Sequence, residues 1–231
     1  MIESANITVA DVGRFAVRPF CDDLYHVLPT REPEVLAAIC EILREGDIFI
    51  DAGANIGFYS VVGANQVGRT GRVLAVEMMP DTVERLRITL DMNGVADRVS
   101  VLPFALSERS GQEVVASVTS GKFGQASIIS EPGQSARRIP VYSRALDDLS
   151  ESETDIRLIK LDLEGGELGA LKGARKTLER TTAVIFEQLG RGGDIGSFFE
   201  ASGFTVRMLD PNNWIAERDP RCLIGSRDDA Q

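Results

Sequence analysis

Cysteine is scarce in this sequence. There are three in 231 residues (Cys21, Cys40 and Cys222), odd in number and without metal-ligand spacing. That excludes a disulfide framework and a cysteine-held metal as organising features. Free thiols fit a reducing compartment, so a cytoplasmic protein is expected. No apolar run approaches the ~20 residues of a membrane span, and the N-terminus lacks the basic start and apolar core of a secretory signal. No Lys/Arg run is longer than a pair, while the formal net charge is −10. Such a surface repels nucleic acid. Neither nucleic acid nor a membrane is expected as a partner, and a neutral or cationic small molecule is easier to accommodate. Internal repeats and an interdomain linker are also lacking. What remains is ordinary globular composition, 43% apolar and 26% charged, enough for one α/β domain with a complete core and a short extension. The oligomeric state is left open, a homodimer included.

One stretch organises the chain: Gly46 to Tyr59, Gly-Asp-Ile-Phe-Ile-Asp-Ala-Gly-Ala-Asn-Ile-Gly-Phe-Tyr. Asp47 to Ile50 reads as a short strand, apolar throughout as in strands buried on both faces. Asp51 closes it. Gly53, Asn55 and Gly57 form a tight turn, and Phe58, Val61 and Val62 then repeat at helical spacing. Glycines permit positive φ and close approach of a ligand, and a helix N-terminus offers free N–H groups. A dinucleotide fingerprint would read Gly-x-Gly-x-x-Gly; here the pattern is Asp-x-Gly-x-Asn-x-Gly. An acid at the strand end repels a pyrophosphate and suits an ammonium-bearing ligand, such as the amino-acid part of S-adenosylmethionine. Gly53 is expected where the backbone meets that end. Twenty residues after Gly57, the apolar run Val73–Val76 ends at Glu77, placed to accept hydrogen bonds from both ribose hydroxyls. The alternatives are a turn cap for Asp51 and an exposed strand end for Glu77.

Residues 1–31 read as an N-terminal extension, with strands at Phe15–Val17 and Leu24–Leu28 and a hairpin across Arg18–Asp23. His26 lies in the second of these, either a surface residue or a substrate contact. Residues 32–231 read as one domain. Pro33 opens a helix with Val35, Leu36, Ile39, Ile42 and Leu43 on one face, and Gly46 follows its end. A second helix runs from Pro80 to Asn93-Gly94, and a third strand from Val99 to Leu102, continuing into Pro103–Ser107. Ala105 in that run is placed among the cofactor contacts. Alternating β and α segments imply a parallel sheet with helices on both faces. Residues 107–145 break the rhythm: two strands, near Val114-Val115 and Ile139–Tyr142, flank a long loop that includes Phe123. That loop is either a substrate lid, with Phe123 against the substrate, or a decorated surface hairpin.

The fourth strand, Ile156–Leu161, runs into Asp162-Leu-Glu164-Gly-Gly-Glu167 and then a helix with Leu168, Leu171 and Leu178 on one face. The fifth, Ala183–Phe186, ends at Glu187. In an open parallel sheet, ligands bind beyond the carboxyl ends of the strands, so Asp162, Glu164 and Glu187 should share an edge with Asp51 and Glu77. Glu167 has a second reading, as an acid at its helix N-terminus. A last helix carries Ile195, Phe198 and Phe199. Strand six is Phe204–Met208, Asp210–Asn213 turn, and Cys222–Ile224 returns as strand seven.

Asp51-Ala-Gly-Ala-Asn-Ile-Gly57, Glu77, Ile159-Lys-Leu-Asp-Leu-Glu-Gly-Gly-Glu167 and Leu171-Lys-Gly-Ala174 together resemble the FkbM-type family of S-adenosylmethionine-dependent methyltransferases, over roughly residues 34–188. The resemblance implies a Rossmann-like class I methyltransferase fold: seven strands, mostly parallel, with a C-terminal antiparallel hairpin. It implies S-adenosyl-L-methionine as cofactor, held by Asp51, Gly53, Asn55, Gly57, Glu77 and Ala105. It also implies methylation of a hydroxyl oxygen on a sugar or small natural product, as in secondary metabolite biosynthesis.

Methyl transfer to an alcohol requires in-line positioning and removal of one proton. Asp162 and Glu164 are the expected catalytic carboxylates; His26, Phe123 and Glu187 are expected at the substrate. A divalent ion on these carboxylates is a weighed alternative, but without a dedicated ligand cluster no metal is assigned. Two other classes remain open from sequence: a nicotinamide-dependent oxidoreductase or epimerase, which the glycine spacing opposes, and a non-catalytic S-adenosylmethionine-binding module.

Overall fold

The computed structural model describes residues 5–119, 121–128, 136–188 and 193–218. It begins with strands β1 (Ala5–Val9) and β2 (Gly13–Val17) and a single helical turn, α1 (Asp23–His26). Helix α2 (Pro33–Ile42) leads into β3 (Ile48–Ala52), α3 (Phe58–Val67), β4 (Arg72–Val76), α4 (Pro80–Asn93) and β5 (Val99–Leu102). Then come β6 (Ala105–Leu106), β7 (Glu113–Thr119), a 3₁₀ turn at Phe123–Gln125 and β8 (Ala136–Arg144). The remainder is α5 (Leu146–Leu149), β9 (Ile156–Leu161), α6 (Glu167–Lys172), α7 (Arg175–Glu179), β10 (Thr181–Glu187), α8 (Gly193–Ala201), β11 (Phe204–Met208) and β12 (Asn213–Arg218).

Seven strands form the main sheet in the order β11-β12-β10-β9-β3-β4-β5. The five from β10 to β5 are parallel, and β12 and β11 close one edge as an antiparallel hairpin. This is the Rossmann-like architecture the resemblance implied. Successive strand residues point to opposite faces, so Phe49 of β3 packs with Val35, Ile39 and Val61 on one side, while Ile50 packs with Leu171, Leu178 and Phe199 on the other. Helices on both faces explain why the strands read as unbroken apolar runs. The chain leaves β3 toward β4 and β5 but later adds β9 and β10 on its other side. The carboxyl ends of β3 and β9 therefore flank the crevice where such sheets bind ligands. A smaller sheet, β6-β8-β7, packs its own core of Met79, Ala105, Ala116, Val118 and Val141 beside this edge. No helix among the described residues is long and apolar enough to cross a membrane.

Three sequence expectations are corrected. Leu24–Leu28 is not a strand: β2 pairs with β1 instead, and the residues from Asp23 to His26 form α1. Their apparent alternation indexes no buried face, since Leu24, Tyr25 and Leu28 are all largely exposed while Val27 is buried. Asp23 at the start of the turn is bound by Arg18 instead, at 2.7 Å. The helix expected across Leu168–Leu178 is broken into α6 and α7. At the break, a Cβ on Gly173 would meet the carbonyl oxygen of Ser107 at 2.3 Å, and Asp147 accepts from the Thr177 N–H at 2.7 Å, within the first turn of α7. The strand that returns after the Asp210 turn is Asn213–Arg218; Cys222–Ile224 lies outside the described residues.

Candidate active site

The turn after β3 is built by backbone hydrogen bonds to the next strand. Gly53 and Ala54 both donate to the Val76 carbonyl at 2.9 Å. Asn55 then takes φ +50°, a left-handed conformation that asparagine tolerates better than most residues. Its N–H donates to Glu77 Oε2 at 3.0 Å, and the Met79 N–H donates to Oε1 at 2.8 Å. Glu77 thus braces the turn from the end of β4, 9% exposed. Burial pushes its carboxyl up from the usual carboxylate value, against those two N–H groups.

A solvent-open cleft of about 870 Å³ lies at this edge, and Gly53, Asn55, Glu77 and Ala105 line it. A carboxylate has about four lone-pair sites, and the backbone uses one on each Glu77 oxygen. Asn55 Oδ1 is buried with no hydrogen-bond partner. Spare acceptors beside a Gly-rich turn, with Met78 and Phe104 as apolar neighbours, fit the hydroxyl and ammonium donors of S-adenosylmethionine. Two expected cofactor contacts stand back from the cleft. Asp51 is 1% exposed and takes a 2.6 Å hydrogen bond from the Ser60 hydroxyl. Gly57 opens α3 at φ +97°, where a Cβ would strike Leu86 of α4 at 2.7 Å.

Past β9 the chain does not stay extended. Glu164 adopts φ +51° and Gly165 φ +95°, so the segment curls under the cleft. Glu167 fixes the curl by accepting from the N–H groups of Leu163 and Gly165, at 2.8 and 3.2 Å. The carboxylate oxygens of Asp162, Glu164 and Glu187 come within 4.8 Å of one another, near enough to act on one another's charge. Burial, then the charge of Asp162, pushes Glu164 up to about 7. Burial, then Asp162 and Glu164, pushes Glu187 up to about 8. Asp162 goes the other way. Burial would raise it, but the charge and hydrogen bond of Lys160 outweigh burial and hold it below the usual carboxylate range.

Lys160 is the site residue that sequence reasoning passed over. It lines the cleft, is 3% exposed, and places Nζ 2.8 Å from Asp162 Oδ2 and 4.8 Å from the Tyr59 ring centre. Burial would lower its ammonium, but Asp162, Glu32 and Asp51 hold it above the ordinary lysine value. Tyr59 donates to Glu32 Oε2 at 2.8 Å, and Arg31 pairs with Glu32 at 3.2 Å. The available signal was a lysine inside the apolar run Leu158–Leu161: a charge in a strand covered on both faces must be paired.

The outer wall joins the N-terminal segment to the hairpin loop. His26 and Phe123 both line the cleft. The Asp22 carboxylate lies 3.3 Å from His26 Nε2 and 3.3 Å from the Gly124 N–H. The Arg18 guanidinium stacks over Phe123 at 4.1 Å while also holding Asp23. The cleft thus has a cofactor-like cradle at β3 and β4, carboxylates past the end of β9, and a wall from residues 18–31 and 121–128; Glu187, at the end of β10, stands behind those carboxylates and does not line the cleft.

Comparison with known proteins agrees with this geometry. Residues 51–211 match the family described as Methyltransferase FkbM domain. The hexuronic acid methyltransferase AglP of Haloferax volcanii is 27% identical over 185 residues, covering 78% of this chain and 73% of that protein. Protein-L-isoaspartate O-methyltransferase 2 of Archaeoglobus fulgidus is 38% identical over 72 residues; the match spans 30% of this chain and about a third (32%) of that protein. The crystal structure of methyltransferase FkbM from Methylobacillus flagellatus superposes with a TM-score of 0.53 at 17% identity, covering 79% of this chain and 50% of that one. The chain belongs to the FkbM methyltransferase family, and its cofactor is S-adenosyl-L-methionine.

Proposed function

We propose that this methyltransferase transfers a methyl group to a hydroxyl oxygen of a sugar or a similar small natural product, as a cytoplasmic enzyme of secondary metabolism. The observation that carries the reading is Glu164, a cleft-lining carboxylate pushed up to about 7 beside the ionised Asp162. A general base works best with its pKa near the working pH. AglP, which by its name acts on a hexuronic acid, supports a sugar as acceptor.

When bound, the cofactor supplies a methyl group already activated on a sulfonium sulfur. The residues of this chain then have two tasks. Glu77 and the turn at Gly53–Asn55 hold the nucleoside and amino-acid parts, which sets the line of attack. Glu164 takes the acceptor's proton as its oxygen bonds to the methyl carbon, while Asp162 orients the same hydroxyl. The carbon–sulfur bond breaks and its electron pair stays on sulfur. His26, Phe123 and Glu187 contact the acceptor, which makes residues 1–31 a substrate-facing extension on the domain at 32–231.

The test is conversion of S-adenosylmethionine to its demethylated product with a panel of neutral sugars, amino sugars, uronic acids and small alcohols. Glu164→Gln should lower turnover on the active acceptor by about 10²–10⁴-fold, the range of a general base, with affinity for S-adenosylhomocysteine retained. Turnover only on nitrogen or carboxylate acceptors, or full turnover by Glu164→Gln, would contradict the reading. No turnover on any acceptor would favour a binding module.

A further inference from the structure

Asp162 and Glu164 line the cleft and Glu187 stands within 4.8 Å of them, outside the cleft lining, yet the three carboxylates are not equivalent. Asp162 has a partner within 2.8 Å, the buried Lys160. Among the described residues the side chains of Glu164 and Glu187 have neither a hydrogen bond nor an ion pair. Lys160 cannot turn to serve them both, because its ammonium is held over Tyr59 and attracted by Asp51 and Glu32 as well. The cation is therefore a fixed point, and the carboxylate nearest to it is chosen by the strand: residues 160 and 162 lie at adjacent positions on one side of β9 and its end.

We propose that Lys160 is a positioning residue that divides the labour between the two carboxylates: it pins Asp162 as a permanent anion, whose charge in turn makes Glu164 the group that takes up and gives back a proton. This rests on the reading of Asp162 and Glu164 as the acceptor-facing pair, and adds the residue that decides which of them does what. Asp162 is faced by Lys160 from β9, by Arg31 ahead of α2, by His26 of α1, by Asp51 of β3 and by Tyr59 of α3, while Glu32 faces Lys160 and Glu187. From the following loop and strand come Glu164, Glu167 and Glu187. Lys160 is the cation nearest to it. Without Lys160, burial and the surrounding acids act on Asp162 unopposed. Asp162 should then keep its proton, Glu164 should lose the repulsion that raises it, and the order in which the two ionise should reverse.

The experiment is a pH titration of carboxyl ¹³C shifts in the protein labelled at Asp and Glu, with the two signals assigned by their loss in Asp162→Asn and Glu164→Gln. It needs neither cofactor nor acceptor, so its outcome is separate from whether a hydroxyl is methylated. In the wild type, Asp162 should be ionised throughout the range in which Glu164 titrates. In Lys160→Met, Asp162 should become the later of the two to ionise, and Lys160→Arg should restore the original order. In Asp162→Asn, the Glu164 midpoint should fall by about 1–3 pH units, the size of effect a close charge exerts. This variant decides the matter if Lys160→Met does not fold. An unchanged order in folded Lys160→Met, or an unmoved Glu164 midpoint in Asp162→Asn, would overturn the proposal.

Discussion

The backbone carbonyl of Asp162 fills the space that a side chain on residue 53 would need: a Cβ built on Gly53 stands 1.8 Å from that oxygen. The sequence suggested that Gly53 makes room for the cofactor. In the structure it lines the cleft and also makes room for the end of the neighbouring strand, and the φ of +88° there adds a further demand for glycine.

Gly53→Val should therefore damage the fold as well as the site. A left-handed backbone costs roughly 1–2 kcal/mol in a non-glycine residue, and overpacking typically adds about 1–3 kcal/mol. At roughly 2–4 °C per kcal/mol for a protein of this size, calorimetry should show a melting point at least ~5 °C lower. A variant that melts like the wild type but fails to bind S-adenosylhomocysteine would show that Gly53 serves the cofactor alone.

Glu77 should matter twice, to the cofactor and to the turn that Asn55 and Met79 hang from it. Replacing it by alanine removes a charged acceptor, an effect of about 1.5–3 kcal/mol, or roughly 10–100-fold in affinity. Titration calorimetry with S-adenosylhomocysteine measures this. Glu77→Gln should also bind more weakly, because its amide group would turn an N–H toward a backbone N–H. An unchanged dissociation constant in both variants would remove Glu77 from the cofactor site.

Folding stability should fall as pH rises through the site's own titration. Glu187 moves from 4.5 to about 8 in the folded protein, and Glu164 from 4.5 to about 7. Between those limits the folded state binds more protons than the unfolded one, so stability decreases with pH. Glu187→Gln cannot lose that proton. Its melting point relative to wild type should climb between pH 5 and pH 8.5, by on the order of 2 °C or more. A constant offset across that range would mean Glu187 titrates normally.

The wall over the cleft depends on a carboxylate shared between segments far apart in the chain. Asp22→Ala removes the acceptor that faces both His26 and the Gly124 N–H. Amide hydrogen exchange in residues 121–128 should then accelerate by about tenfold, equivalent to ~1.4 kcal/mol of local stability, while residues 48–52 in the central strand stay protected. Equal exchange in both proteins would show that the loop is held by its own hairpin alone.

What could be read from the sequence followed distance along the chain. The turn at Gly53–Gly57 and the ends of the strands at Glu77, Asp162 and Glu187 were legible because a strand, its closing residue and the next helix are neighbours in sequence. The hydrophobic runs placed the central strands for the same reason. Lys160, Arg31 and Glu32 were missed because their meaning is a meeting: Glu32 precedes α2, Tyr59 lies in α3 and Lys160 in β9, and only the folded sheet brings them together. Residues 24–28 misled because one helical turn is too short to show a period. Gly53 was singled out for its flexibility and lines the cleft as expected, but its second neighbour was missed, since no local pattern reveals a carbonyl more than a hundred residues away.

The pairing of β3 with β9 also bears on how the chain reaches this structure. Ile48 lies beside Ile156, so the central strand has only one partner, β4, until most of the chain has been synthesised. Loop closure over such a span is slow, and contacts of this kind delay folding. During that interval the open edge of β3, apolar but for Asp51, is exposed to other chains, which is the condition under which nascent proteins aggregate. The crevice and the late assembly thus share one origin, because the two strand ends that flank the crevice belong to strands more than a hundred residues apart.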